Sequence, residues 1–168
     1  MYSVEQLQAL DYLLKRITRE DSFAIYNKNL KLVVEYKNML WYGDFLEMDD
    51  SAASQLFIGD DGLLERERYY PTGSNAISPF KQIWDSFIEL AVKADNYWWN
   101  NPFKKITDLP LLFETLIKIL ERAEIPDGCS AFRPYLLNAQ TVDGTLRLPF
   151  INLGGEKIQL VSIIELNG

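Results

Sequence analysis

The chain has no histidine and only one cysteine in 168 residues. Without imidazole there is no Ser-His-Asp or Cys-His catalytic set, no histidine general base, and most zinc and iron ligand sets are excluded. No remaining side chain has an ordinary pKa between about pH 5 and pH 8. One thiol, Cys129, closes no intrachain disulfide and builds neither a thiolate metal cage nor a CxxC redox pair. It lies in Pro126-Asp127-Gly128-Cys129-Ser130, a turn sequence, and reads as a structural cysteine. Apolar runs are only a few residues long, far short of the ~20 a membrane span needs. Met1-Tyr2-Ser3-Val4-Glu5-Gln6 lacks the basic and apolar regions of a secretory signal. No Gly-rich phosphate loop of either standard spacing occurs. The expectation is a cytoplasmic protein with no cofactor, no metal and no membrane partner.

Hydrophobic residues make up 48% and charged residues 24%, ordinary values for a chain that builds a core without disulfide or metal staples. No repeat, low-complexity tract or long linker divides the sequence, so residues 1–168 are expected to form one domain. The formal net charge is −7. Asp44, Glu47, Asp49, Asp50, Asp60, Asp61 and Glu65 carry as many negative charges with no Lys or Arg among them, leaving the rest of the chain near neutral. Nucleic-acid binding normally shows as a basic stripe, and none is present. A block of acids suits solvated loops and helix caps, or a surface for a basic partner.

Hydrophobic periodicity predicts an α+β fold. Residues 3–20 read as a helix: Ser3 and Gln6 form a capping-box pattern, and Leu7, Leu10, Leu14 and Ile17 recur on one face. The period then drops to two. Phe23–Tyr26 and Leu30–Tyr36 flank Asn27-Lys28-Asn29 as a predicted hairpin, with Lys31, Val33, Glu35 and Lys37 on its solvated face. A third strand is expected over residues 39–47, and another hairpin around Gly59-Asp60-Asp61-Gly62. Pro79 opens a predicted helix carrying Phe80, Ile83, Trp84 and Phe87, and a second helix runs from Asp108 to about Ala123. Asp143-Gly144 and Gly154-Gly155 read as two-residue turns joining a C-terminal three-stranded meander. The expected architecture is an antiparallel sheet, built from an N-terminal and a C-terminal meander, with an N-terminal helix and a central antiparallel helix pair.

Two constellations bear on function. Glu35-Tyr36-Lys37, preceded by Asp21, resembles the PD-(D/E)xK metal-dependent nucleases, in which an acid and an E-x-K on neighbouring strands hold a divalent cation. That resemblance implies a carboxylate-metal hydrolase or nuclease using Asp21, Glu35 and Lys37. It covers residues 21–37 alone and comes without the helix that follows the motif strand. Tyr97-Trp98-Trp99 followed by Phe103 is the stronger lead, because consecutive rings cannot all point into one core. Exposed Trp and Tyr beside Asn are common interface anchors.

The leading expectation is a non-enzymatic protein-binding domain, such as an inhibitor or immunity protein, or a phage or cytosolic assembly component. Its partner-binding residues would be Asp44, Glu47, Asp49, Asp50, Asp60, Asp61 and Glu65, with Tyr97, Trp98, Trp99 and Phe103 as the aromatic anchor. The expected partner is another protein with a basic surface, or a second copy of the chain. A pocket for a small molecule between the helix pair and the sheet is a further alternative.

Overall fold

The computed structural model describes residues 1–19, 25–45, 79–87, 89, 109–123, 125 and 134–167. Within them the fold is α+β, with one antiparallel six-stranded sheet and three helices. Helix α1 (Val4–Ile17) begins as its sequence predicts. The Ser3 hydroxyl accepts from the Gln6 N–H at 3.2 Å, and the Gln6 side chain accepts from the Ser3 N–H at 2.9 Å. Lys15 and Arg16 in its last turn oppose the negative end of the helix dipole. Leu7, Leu10, Tyr12, Leu13, Leu14 and Ile17 are all fully buried, so the helix is covered around most of its circumference.

That cover comes from strands on one side and two helices on the other. Helix α2 (Pro79–Phe87) starts on its proline, whose missing N–H costs nothing at a first helical position. It packs on α1 and on α3 (Leu109–Ala123) through the buried Ile83 and Phe87, while α3 buries Leu112, Leu116, Ile119 and Leu120. The Arg16 guanidinium lies 3.4 Å from the centre of the Trp84 ring and donates to the Tyr12 hydroxyl at 3.0 Å. It therefore ties α1 to α2 by a cation–π contact worth about 0.5–2 kcal/mol. Among the described residues no helix is long and apolar enough to cross a membrane.

The strands are β1 (Tyr2–Ser3), β2 (Asn29–Tyr36), β3 (Met39–Asp44), β4 (Tyr135–Thr141), β5 (Arg147–Asn152) and β6 (Lys157–Leu166). Their order across the sheet is β1-β6-β2-β3-β4-β5. Several expectations are corrected by it. The hairpin around Asn27-Lys28-Asn29 does not form: Ile25 and Tyr26 lie in a turn, and the Asn27 N–H closes back on the Thr18 carbonyl at 2.7 Å. The hairpin is one step later. Lys37 (φ 51°) and Asn38 (φ 64°) form a two-residue turn between β2 and β3, the left-handed pair that matches strand twist. Phe23 and the predicted hairpin around residues 59–62 lie outside the described residues.

The C-terminal three-stranded meander is also not formed. β4 and β5 pair, but β6 inserts between β1 and β2. Asp143-Gly144 sits in a longer loop closed by the Thr141 N–H on the Leu146 carbonyl. Gly155 (φ 76°) turns the chain without making a hairpin.

Only residues 153–156 join the end of β5 to the start of β6. Five steps of 3.8 Å reach about 19 Å at most. Four strand spacings of about 4.8 Å separate β5 from β6 in a flat sheet, before counting the distance back to the start of a strand running the same way. A flat sheet cannot be spanned, so the sheet must coil strongly enough to bring its two halves together.

Two irregularities help it do so. Val33 pairs with Ser162 and Val34 with Leu160, which leaves Val161 as an extra residue. This bulge explains why Ile158, Leu160 and Ile163 are buried together: the face of β6 changes phase midway. A second lies between β3 and β4, where Asn138 takes φ 52°. Gly43 faces it so closely that a Cβ there would stand 2.5 Å from the Leu137 carbonyl oxygen. Val33, expected among solvated neighbours, is 4% exposed.

Candidate interaction surfaces

Of the acids expected to face a partner, Asp44 is described, and it is neutralised within the chain. Continuing the β2–β3 register by two residues sets Lys31 beside Asp44, and the two form an ion pair. Lys15 of α1 approaches the same carboxylate at 3.3 Å, while donating to Asp11 at 2.7 Å. Asn138 donates to Asp44 at 3.5 Å, and Asp11, fully buried, also accepts from the Phe45 N–H at 3.0 Å. Two carboxylates and two ammonium groups thus pin the end of α1 to the β2–β3 pair.

The titrations follow from this packing. Burial pushes the Asp44 carboxyl up, but Lys15 and Lys31 together outweigh it and hold it below the usual 3.8. Burial likewise pulls Lys15 down, and Asp11 and Asp44 more than reverse that, leaving it above 10.5. The Asp44 side chain is 24% exposed, too covered and too fully paired to offer a free charge.

Glu47, Asp49, Asp50, Asp60, Asp61, Glu65, Tyr97, Trp98, Trp99 and Phe103 lie outside the described residues, as do Asp21 and Cys129. Glu35 and Lys37 are described, and the assumed geometry is corrected. Glu35 is on β2, opposite Gln159, but Lys37 belongs to the turn and not to the strand. Its ammonium lies 5.3 Å from the centre of the Tyr36 ring. Strand alternation therefore does not set the two groups side by side. Among the described residues no cluster of three or more Asp, Glu, His or Cys side chains could hold a metal ion.

Two surfaces emerge whose residues sequence reading did not single out, although a pocket between the helix pair and the sheet was among its alternatives. The first is β5. It closes one end of the strand order, and Leu146, Leu148 and Phe150 recur at every second position beside it, 45%, 41% and 55% exposed. The Tyr135 ring packs at 5.3 Å from that of Phe150 and extends the apolar area. Pro149 stands in the middle of the strand, a place proline tolerates where a strand has one neighbour. Lacking an N–H, it also discourages another strand from adding there. The signal was available in the period-2 pattern Leu146-Arg147-Leu148-Pro149-Phe150; what hid it is that an edge and a core strand share that pattern.

The second is an open groove of about 720 Å³ where α3 meets the β2–β3 turn and β6. Phe113 and Leu160 supply apolar wall, and Glu35, Lys37, Lys157 and Gln159 line it from the sheet.

Comparison with protein-family models, with curated proteins and with solved structures finds no match for this chain.

Proposed function

We propose that this chain is a non-enzymatic protein-binding domain whose partner seats on the β5 face. The observation that carries the reading is the exposure of Leu148 and Phe150 on a strand that ends the strand order, with Leu146 exposed just before it. Three large apolar side chains at alternate positions form a contiguous patch, and such patches mark interaction sites. Because Pro149 blunts the edge, the partner is engaged by side-chain packing and not by strand addition. A net charge of −7, with Glu47, Asp49, Asp50, Asp60, Asp61 and Glu65 carrying no Lys or Arg among them, favours a partner with basic groups. The aromatic run from Tyr97 to Phe103 remains part of the proposal as a second anchor. An inhibitor or immunity role, or one in phage or cytosolic assembly, fits such a surface. A cytoplasmic setting is supported by the lone cysteine.

The test is photo-crosslinking in the native host from a benzophenone amino acid at position 148, followed by affinity measurement on whichever protein is captured. Phe150→Ser should weaken that complex by about 2 kcal/mol, roughly thirtyfold. If Phe150→Ser and Leu148→Ser both leave affinity unchanged, β5 is not the binding face. Sedimentation velocity on wild type and Phe150→Ser distinguishes a heterologous partner from a second copy of the chain.

A further inference from the structure

The groove at the junction of α3, the β2–β3 turn and β6 shares no residue with the β5 face. We propose that it is a binding site for a small organic anion carrying one negative charge and an apolar body. Its volume of about 720 Å³ falls in the range of small-ligand sites, about 300–1,000 Å³. The lining divides by chemistry. Leu160 is buried at its base and Phe113 of α3 is partly buried beside it, giving an apolar wall. Val161, the extra residue of the β6 bulge, is turned outward and 41% exposed at the rim. A bulge re-aims a side chain in this way.

The lining also includes Lys37 and Lys157, with Glu35 as its acid. In a chain of net charge −7 this is a locally positive place. Lys37 is also distinguished from its neighbours on the sheet. Lys28 pairs with Glu165, and Lys31 with Asp44. Among the described residues no carboxylate pairs with Lys37, whose ammonium rests over the Tyr36 ring. The turn that removed Lys37 from the strand fixes its stem at the groove mouth in left-handed backbone. Glu35 limits the anion to a single charge, since a dianion would place its second charge against that carboxylate. Carboxylate meeting lysine and hydrocarbon meeting Phe113 and Leu160 are the complementary contacts.

Octanoate is a suitable probe, with octan-1-ol as its uncharged counterpart, both read by amide chemical shifts of the whole chain. Octanoate is expected to give saturable shifts centred on Asn38, Lys157, Gln159 and Val161, with octan-1-ol at least about tenfold weaker, the equivalent of 1.4 kcal/mol. Lys37→Glu combined with Lys157→Glu should weaken octanoate by more than about tenfold, and Lys37→Met alone by a smaller factor in the same direction. Unchanged amide dispersion elsewhere in the spectrum checks that the variants fold. Three results would each overturn the proposal: no saturable shift below about 10 mM octanoate, shifts centred on Leu148 and Phe150, or equal affinity in the charge-reversed variant. The last two also separate this site from the β5 reading, which stands or falls on its own variants.

Discussion

The two halves of the sheet are built to different specifications. β6 and β2 lie side by side in one half, beneath α1 and α3, and Leu30, Leu32, Val34, Ile158, Leu160 and Ile163 are buried there. β4 and β5 form its other end, where every residue from Val142 to Phe150 is exposed. The start of β2, Leu30-Lys31-Leu32, and of β5, Arg147-Leu148-Pro149-Phe150, both alternate, so alternation alone does not say what covers a strand. In the first half the apolar side chains stabilise the fold. In the second they are exposed, which is why β5 is proposed as the partner face, with Pro149 discouraging strand addition there.

The sharpest way to break this contrast is to truncate one leucine in each half. Leu32→Ala, in the covered half, should cost about 3 kcal/mol in urea unfolding, since it leaves a cavity under α1. Leu148→Ala should change stability by less than about 0.5 kcal/mol. Equal losses would mean that β5 belongs to the core.

Next in size is Gly43→Ala at the seam between the halves. A Cβ at 2.5 Å from the Leu137 carbonyl forces β3 and β4 apart, and about 2 kcal/mol of destabilisation is expected in the same assay.

Asp44→Asn should lose about 1–2 kcal/mol, because Lys31 and Lys15 remain partly buried with one fewer charge to pair. Its pH dependence has a definite sign. The folded Asp44 pKa lies below 3.8, so its contribution is present above that value and is lost as pH falls through the lower folded one. Lys15 is held above 10.5, so its contribution is complete below that value and disappears as pH rises through the folded one. The stability gap between wild type and Asp44→Asn should accordingly be flat near neutrality and close in acid. A gap that persists in acid would assign the loss to packing.

A smaller loss than for Asp44→Asn, about 1 kcal/mol, is expected for Arg16→Met, as the stem still covers Trp84 while the cation–π contact is lost. A larger loss would show that the α1–α2 contact depends on charge more than on buried surface.

Much of the local structure was legible in the residues. Ser3 and Gln6 announced α1, Pro79 announced α2, and the apolar stripe of residues 109–123 announced α3, because caps and helical faces involve neighbours within a turn or so. The tight hairpin turn was expected at the wrong end of β2, since Asn27-Lys28-Asn29 and Lys37-Asn38 offer similar turn chemistry and differ only in what the flanking strands meet. Of the site residues named from sequence, Asp44 looked like a free surface acid. Its partners Lys15 and Lys31 are 29 and 13 positions away, as its numbering against theirs shows, and neither distance is readable as a contact.

What the sequence settled by itself is the chemistry that this chain must do without, together with where its helices start and where its apolar faces lie. These follow from composition and from interactions a few residues long. Tertiary structure alone decided that β6 enters between β1 and β2, that Asp44 is spent on two lysines, and that β5 ends the strand order among the described residues with its side chains exposed. Each depends on which strand lies beside which, and strand pairing is set by the packing of the whole sheet, not by any segment's own pattern.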